Sequence, residues 1–194
     1  MTTANVLPVV KPTFLRELGP VDTSELAAVV ARTSDTVWNL EDSRKENRFE
    51  VLCHTRHIVF RFIEGNRDHR RFYSNPIWDL WQRFLMPVME AAVRPYQFRQ
   101  PVFPKVMLAR LAAGGVVDRH TDGLGSNLYT HKIHIPIQTN DQAWIEVSNR
   151  RFHLTPGHAY ELNNLAPHGA ENAGATDRIH LILEVYDSES SATD

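Results

Sequence analysis

Arg178-Ile179-His180-Leu181-Ile182-Leu183-Glu184-Val185 is the stretch that decides the fold class, because its side chains alternate in character. In a β-strand every second side chain lies on the same side of the sheet. Ile179, Leu181 and Leu183 therefore share an apolar face, while Arg178 and His180 share the other. The pattern predicts a strand with one apolar face and a second face that carries a cation.

Similar short runs, separated by turns, fill the sequence from Phe103 to this strand. Gly114-Gly115 and Pro156-Gly157 are typical turn residues between them. This spacing favours a mainly β protein with a double-sheet jelly roll over a parallel α/β sheet. The predicted strands are 104–112, 131–138, 143–148, 151–154, 157–162 and 177–186.

The first hundred residues predict N-terminal helices that flank the β-rich part. We expect a short helix over 24–33, a strand over 56–63 and an aromatic-rich helix over 76–94. In the last of these, Asn75 stands before a proline and is expected to be the N-cap. Pro87 is expected to kink this helix or to mark its boundary.

Length and composition indicate a single domain over residues 1–187. The chain has 194 residues and is 42% hydrophobic, which suits one substantial core. We divide it into an N-terminal part of helices and a strand, 1–100, and a jelly-roll core, 103–187. The small and acidic residues 188–194 are expected to form a disordered tail.

Charge and cysteine content limit the classes of partner that the protein is expected to bind and the cellular compartment in which we expect it. The 21 basic and 23 acidic residues leave a formal charge of −2, which argues against nucleic acid as a partner. The single cysteine, Cys53, cannot form an internal disulfide and fits a reducing cytoplasm. The opening residues lack the apolar core of a signal peptide, and no segment approaches the roughly 20 apolar residues of a membrane span. We expect a soluble, cytoplasmic protein without a membrane partner. The oligomeric state is open, because helix 76–94 suits a dimer face as well as a core face.

Two histidines and an aspartate in the β-rich part have the pattern of a metal site. His120-Thr121-Asp122 places an imidazole and a carboxylate on one side of a strand end or tight turn, although alone it is more often a surface turn. With His168, 46 residues after His120, it matches the facial triad that binds iron(II) and leaves three positions for a bidentate cosubstrate and dioxygen. One of Asn163, Asn164 and Asn172 is expected to orient His168 or its loop.

Arg178, ten residues beyond His168, supports this interpretation. If its face lines the interior of the barrel, the guanidinium loses its water unless it pairs with an anion. A dicarboxylate supplies such an anion in bidentate geometry. We therefore predict that Arg178 binds one carboxylate of a dicarboxylate.

Residues from about Phe103 to Asp187 resemble the aspartyl/asparaginyl β-hydroxylase family of 2-oxoglutarate oxygenases. The resemblance rests on Gly115 to Gly123, His131 to Ile137, Asn163 to Asn172 and Arg178 to Leu181. It implies a double-stranded β-helix with iron(II), 2-oxoglutarate and dioxygen as cofactors, and that Arg178 binds the far carboxylate of 2-oxoglutarate. It also implies hydroxylation, at the β-carbon, of an amino acid or of an aspartyl- or asparaginyl-type residue in a small peptide, with succinate and carbon dioxide as products.

The same resemblance implies two further residues of the cofactor site. His134 matches a family position near the carboxylates of 2-oxoglutarate. Lys132 stands where the family often has a basic residue. The chain differs from the animal members, which lack the carboxylate ligand, because it has Asp122 as many bacterial members do. Halogenases of this type replace that carboxylate with alanine or glycine, so Asp122 also argues against halogenation.

Arg110, on the predicted strand 104–112, is a candidate for contact with a substrate carboxylate. The remaining polar and aromatic residues of note are expected to be structural or exposed, since no ligand spacing connects them to the triad. The loop arginines among them are also a candidate lid. These residues are His57, Arg61, Arg67, Arg70, Arg71, His131, Trp144, His153, His158 and Cys53. His57 and Arg61 are on the polar face of strand 56–63, which we expect to be solvated rather than to reach the mouth of the barrel.

Two other functions remain open at the level of the sequence. A cupin-like metal dioxygenase or isomerase would use a similar barrel and the same histidines without 2-oxoglutarate. A non-catalytic barrel would bind or sense a small acidic ligand. The complete triad favours the hydroxylase, since a pure binder has no need of two histidines and a carboxylate at an open metal site.

Overall fold

The computed structural model of the protein describes residues 7–46 and 48–189. Part of the expected disordered tail, 190–194, lies outside the described residues. None of the described helices is long and apolar enough to cross a membrane. The strands are β1 Leu15–Pro20, β2 Thr55–Ile63, β3 Phe72–Ser74, β4 Pro101–Leu111, β5 Val116–His120, β6 His131–Gln138, β7 Ala143–Val147, β8 Arg150–Phe152, β9 His158–Leu162, β10 His168–Asn172 and β11 Arg178–Asp187. The helices are α1 Ser24–Arg32, α2 Asp35–Arg44, α3 Ile77–Val93 and α4 Leu124–Asn127.

The strands form two antiparallel sheets. The larger sheet has the order β1-β9-β6-β11-β4-β2-β3, and the smaller has the order β5-β10-β7-β8. Because consecutive strands alternate between the sheets rather than pairing as hairpins throughout, the two sheets close into a jelly roll. The prediction of a mainly β, double-stranded β-helix with flanking N-terminal helices is confirmed.

Strand β11 lies at the centre of the larger sheet, between β4 and β6, with its two faces in different environments. Its apolar face, which includes Leu181 and Leu183, packs in one core with Leu85 and Met89 of α3. These four residues are fully buried. The helices therefore cover one face of the larger sheet, and Arg178 is left on the face toward the barrel interior.

A second, smaller core closes one end of the interior. Ile145 and Val147 of β7 in the smaller sheet pack against Tyr160 and Leu162 of β9 in the larger sheet. Burial of such aliphatic side chains contributes on the order of 1.5–3 kcal/mol each. The sheets are thus held together on this side, while the polar side chains of β5, β6, β10 and β11 occupy the rest of the interior.

The structure corrects several expectations about local structure. Helix α3 begins at Ile77, and the Asn75 side chain does not cap it but donates to the Val59 carbonyl oxygen at 2.8 Å. The helix continues through Pro87 to Val93. The sequence analysis also missed α2, β1, β3, β5 and β10, which lack a clear apolar periodicity.

Candidate active site

The two histidines and the aspartate of the predicted triad come together at the edge between β5 and β10. His120 ends β5, His168 begins β10, and the two are direct partners in the antiparallel register. Asp122 follows β5 by two residues, and its Oδ1 lies 3.9 Å from Nε2 of each histidine. The three candidate ligand atoms all lie within 4.8 Å of one another, so this group is sized to hold a metal ion.

Backbone carbonyls fix how both imidazoles face the centre. The Nδ1 atom of His120 lies 2.7 Å from the Asp118 carbonyl oxygen, and that of His168 lies 2.9 Å from the Ala166 carbonyl oxygen. An Nδ1–H that donates to a carbonyl leaves the Nε2 lone pair free for a metal. Burial lowers the pKa of His168 to about 4, so this imidazole is neutral at pH 7.

The two oxygens of Asp122 have different surroundings. Its Oδ2 accepts hydrogen bonds from Lys132 Nζ at 2.5 Å and from Asn164 Nδ2 at 3.0 Å. Burial opposes ionisation of Asp122, but the charge of Lys132 and these hydrogen bonds hold the pKa well below its ordinary value. With Oδ2 engaged, Oδ1 is the oxygen that faces the histidines.

The interior face of β11 carries a buried cation close to two further histidines. Arg178 is 5% exposed, and its Nε lies 2.9 Å from Nε2 of His180. Among the described residues no carboxylate lies within 4 Å of this guanidinium, and burial lowers the Arg178 pKa to about 9. Both ring nitrogens of His134 are buried without a hydrogen-bond partner among the described residues.

The unsatisfied hydrogen-bonding groups of Arg178 and His134 show whether the site can bind a metal together with a dicarboxylate. A guanidinium has five N–H donors, and one neutral imidazole can accept only one of them. A buried charge without a partner is unfavourable unless a ligand completes it. A carboxylate group supplies acceptors for Arg178 and an anion for its charge. The donor set therefore fits a metal at the triad and a dicarboxylate in the same interior.

The family model of the aspartyl/asparaginyl β-hydroxylases matches residues 82–188. The chain belongs to this family. Membership makes it a 2-oxoglutarate-dependent hydroxylase, with iron(II), 2-oxoglutarate and dioxygen as its cofactors. No curated protein has a sequence that matches this member of the family significantly.

Solved structures share the fold of this hydroxylase at low sequence identity. A 2OG-Fe(II) oxygenase family oxidoreductase from Burkholderia pseudomallei is 11% identical with a TM-score of 0.54, covering 93% of this chain and 94% of that chain. A prolyl hydroxylase from Trichoplax adhaerens, in complex with a hypoxia inducible factor peptide fragment, is 14% identical with a TM-score of 0.56, covering 92% and 86%. The viral collagen prolyl hydroxylase of Paramecium Bursaria Chlorella virus-1, in its 2OG complex, is 9% identical with a TM-score of 0.51, covering 89% and 96%.

Arg110 does not lie in the site of this hydroxylase, contrary to the expectation of contact with a substrate carboxylate. Its partner in the ladder is Ile179, on the helix-covered side of β11. Its guanidinium pairs with Asp35 at 2.6 Å and also with Asp177. Since both partners are carboxylates of the chain itself, Arg110 connects α2 to the turn before β11.

Of the other polar residues, His57 is the one that the sequence analysis placed wrongly. It is 3% exposed, and its Nδ1 lies 3.2 Å from Lys45 Nζ, whereas a solvated strand face was expected. The other histidines expected to be structural have partners within the protein. His131 pairs with Glu161, His158 with Glu17, and His153 with the Ala143 carbonyl oxygen.

Two side chains near the triad carry roles that the sequence analysis did not assign. Asn164 contacts Asp122 rather than His168, and its backbone oxygen also accepts from the Asp122 amide at 3.0 Å. Lys11 reaches Asn164 from the opposite end of the chain. No local pattern marks Lys11, because only the folded chain brings the two together.

Proposed function

We propose that the protein hydroxylates the β-carbon of an amino acid, or of an aspartyl- or asparaginyl-type residue in a small peptide. His120, Asp122 and His168 hold iron(II), and Arg178 holds the far carboxylate of 2-oxoglutarate. The observation that carries the proposal is the joint occurrence, in one barrel interior, of the triad and a buried arginine that has no carboxylate partner among the described residues. When bound, iron(II) and 2-oxoglutarate supply with dioxygen the oxidant that hydroxylates a C–H bond, leaving succinate and carbon dioxide.

The protein's own part is to hold the metal on one face and to keep the ligands in the correct protonation state. The neutral His168 and the ionised Asp122 are both ready to bind a metal at neutral pH. Two nitrogens and one oxygen held on one side would leave the other coordination positions of a bound metal for a cosubstrate and dioxygen. Arg178 would hold a carboxylate of the cosubstrate, and its planar guanidinium can bind a carboxylate in bidentate geometry, which lysine cannot do.

His134 and Lys132 complete the proposed cofactor site. His134 lies opposite Ile182 of β11, on the same interior face as Arg178, with both ring nitrogens available. Lys132 is opposite Glu184 and contacts Asp122. Both side chains therefore lie between the triad and the interior of the larger sheet, where they are placed to donate to a carboxylate bound beside the metal.

A small apolar cluster on the same face is the proposed contact for the substrate. Val59, Phe62 and Met107 pack together there, with Tyr73 and Ile182 partly buried against them. In the ladder Ile182 lies between Met107 and His134, so the cluster begins next to the cofactor site. It suits the aliphatic part of an amino acid or a short peptide segment. The peptide bound to the Trichoplax adhaerens prolyl hydroxylase is a precedent for peptide binding in this fold. The single cysteine is consistent with a reaction in the cytoplasm.

The test is iron-dependent formation of succinate from 2-oxoglutarate under air, with amino acids and short peptides screened as substrates. We expect wild-type protein to form succinate, and Asp122→Ala and His168→Ala to lose it. His158→Ala is the matched control, because this histidine pairs with Glu17 on the surface and should leave turnover unchanged.

If wild-type protein binds the metal but forms no succinate above an iron-only background, the hydroxylase proposal is wrong. A cupin-like metal enzyme without 2-oxoglutarate, or a non-catalytic binding barrel, would then replace it. The compound that most stimulates succinate formation identifies the substrate, and mass spectrometry of that compound locates the hydroxylated carbon.

A further inference from the structure

The segment before β1 lies across the two loops that carry the candidate metal ligands. The Val9 amide donates to the Leu128 carbonyl oxygen at 2.9 Å, on the loop that follows Asp122. The Asn163 amide donates to the Phe14 carbonyl oxygen at 2.9 Å, on the loop that precedes His168. Residues 9–14 therefore connect both loops, and Lys11 lies in the middle of this connection.

The Lys11 side chain reaches inward from this segment. Its Nζ donates to the Asn164 Oδ1 atom at 2.8 Å and to the Thr130 carbonyl oxygen at 2.5 Å. Asn164 and Thr130 are both fully buried, so the ammonium group binds acceptors that water does not reach. Hydrogen bonds from a charged donor to buried acceptors are stronger than those between neutral groups.

The contacts of Asn164 leave only one orientation for its amide. Lysine can only donate, so Lys11 requires Oδ1 on its side. A carboxylate can only accept, so Asp122 requires Nδ2 on the other side. The same Nδ2 donates to Asn127 Oδ1 at 2.9 Å, and the Asn127 amide is oriented in turn by donation to the Gly123 carbonyl oxygen at 2.6 Å. All these contacts agree on a single arrangement.

We propose that Lys11 is a positioning residue for the metal centre, because it holds Asn164 in the orientation that engages Asp122 Oδ2 and leaves Oδ1 to the metal. The inference rests on the proposed function, in which Asp122 is a metal ligand. Lys11 contacts neither the metal position nor a ligand directly. It acts through Asn164, as the hydrogen-bond partners behind metal ligands do.

The first measurement is the affinity of the full-length protein for Mn²⁺ without 2-oxoglutarate, followed by electron paramagnetic resonance, together with the melting temperature of the metal-free protein. We expect Lys11→Met to bind Mn²⁺ about 10-fold more weakly, at the lower end of the effect of outer hydrogen-bond partners. Lys11→Arg keeps a charged donor and should recover most of the affinity. Asp122→Ala is the reference for the Mn²⁺ affinity that remains when a proposed metal ligand is removed.

The matched control is Lys45→Met. Lys45 is also a largely buried lysine with several acceptors, but it contacts Asp42 and the Thr55 carbonyl oxygen at the edge of β2. Its loss should lower the melting temperature of the metal-free protein and leave the affinity for Mn²⁺ unchanged. A purely structural role for Lys11 would give the same result as this control.

A double-mutant cycle with Asn164→Ala tests whether Lys11 affects Mn²⁺ binding through Asn164. If Lys11 acts through Asn164, Lys11→Met should weaken Mn²⁺ binding in wild type and have little further effect in the Asn164→Ala background. Asn164→Ser, which keeps a small polar side chain, provides the cycle if the alanine variant does not fold. The inference is overturned if Lys11→Met binds Mn²⁺ like wild type, or if its effect persists in full without the Asn164 amide. In either case the hydroxylase proposal stands, whereas a wild-type protein that binds no Mn²⁺ removes both.

Discussion

At the scale of single residues, the polar groups of the candidate site differ in how many partners the protein supplies. Asp122 gives one oxygen to Lys132 and Asn164 and leaves the other facing two histidines. Arg178 is the opposite case, since its only close partner among the described residues is the imidazole of His180. Protein groups hold Asp122 in an orientation that can bind a metal. The Arg178 guanidinium, which has no carboxylate partner among the described residues, can bind an anion.

The unpaired state of Arg178 predicts opposite effects on stability and on activity. Arg178→Met removes a buried charge without a counter-ion, so the free energy of unfolding of the cofactor-free protein should rise by about 1–4 kcal/mol. The same variant should require a much higher 2-oxoglutarate concentration for succinate formation, since no cation remains for the far carboxylate.

Chemical denaturation and succinate formation at varied 2-oxoglutarate measure the two effects. Arg178→Lys is the control, because it keeps a charge but loses the bidentate geometry, and should impair cosubstrate use without the gain in stability. A large loss of stability in Arg178→Met would contradict the view that this guanidinium is unpaired.

The candidate triad and Arg178 stood out in the sequence because each is an unusual residue type in a β-rich context. Arg110 looked similar by that criterion, yet it lies on the other face of the sheet and pairs with two aspartates. Charge and strand context could not separate the two arginines. The partners that make the difference come from α2 and from the turn before β11.

At the scale of elements, two short polar strands position the candidate metal ligands. The antiparallel register of β5 and β10 places His120 opposite His168. Gly169 follows in β10, and a Cβ atom there would come within 2.8 Å of the Val117 carbonyl oxygen. The close approach of the two strands therefore requires glycine at this position.

One face of the larger sheet packs against the helices, and the other face lines the candidate site. Substitutions on the helix-packed face should therefore change the free energy of unfolding without changing the 2-oxoglutarate requirement. Leu85 of α3 is fully buried against the helix side. Leu85→Ala should lower the free energy of unfolding by about 2–5 kcal/mol because it leaves a cavity. The 2-oxoglutarate requirement of the folded fraction should not change.

Leu80→Ala in the same helix is the matched control, because Leu80 is 71% exposed. Its effect on the free energy of unfolding should stay within about 0.5 kcal/mol. Urea unfolding with the same variants checks both values. A changed 2-oxoglutarate requirement in Leu85→Ala would show that the two faces are coupled.

Elements with strong periodicity were predictable, and the others were not. Strands β6 and β11 and helix α3 alternate or repeat clearly in apolar residues. Strands β5 and β10 are mostly polar because they present ligands, and β10 contains two small residues. Helix α2 buries only Trp38 and has no apolar stripe. Elements that carry candidate site residues or lie on the surface therefore lack the apolar periodicity from which helices and strands are predicted.

At the scale of the whole molecule, the interior of the barrel keeps several histidines neutral. Burial lowers the pKa of His168 to about 4 and holds those of His134 and His180 well below the ordinary value of about 6.5. The unfolded chain takes up protons at these positions below about pH 6.5, while the folded chain does not. Stability of the metal-free protein should therefore be lost as the pH falls from about 6.5 to about 4.

Melting temperatures of the metal-free protein between pH 7 and pH 4.5 test this expectation. For His168 alone the effect is on the order of 3 kcal/mol across the window. His168→Asn should flatten the dependence of the melting temperature on pH. A wild-type melting temperature that is constant over this range would contradict neutral, buried imidazoles.

The sequence by itself determined the mainly β class and the family, and it singled out the three candidate metal ligands and Arg178. Each of these depends on residue type and short-range spacing, which the linear chain carries. Only the tertiary structure decided that Arg110 pairs with two aspartates while Arg178 has no carboxylate partner among the described residues, that His57 is buried, and that Lys11 contacts Asn164 beside Asp122. These depend on which distant segments supply partners and exclude water, and that is settled only when the two sheets, the helices and the segment before β1 pack together.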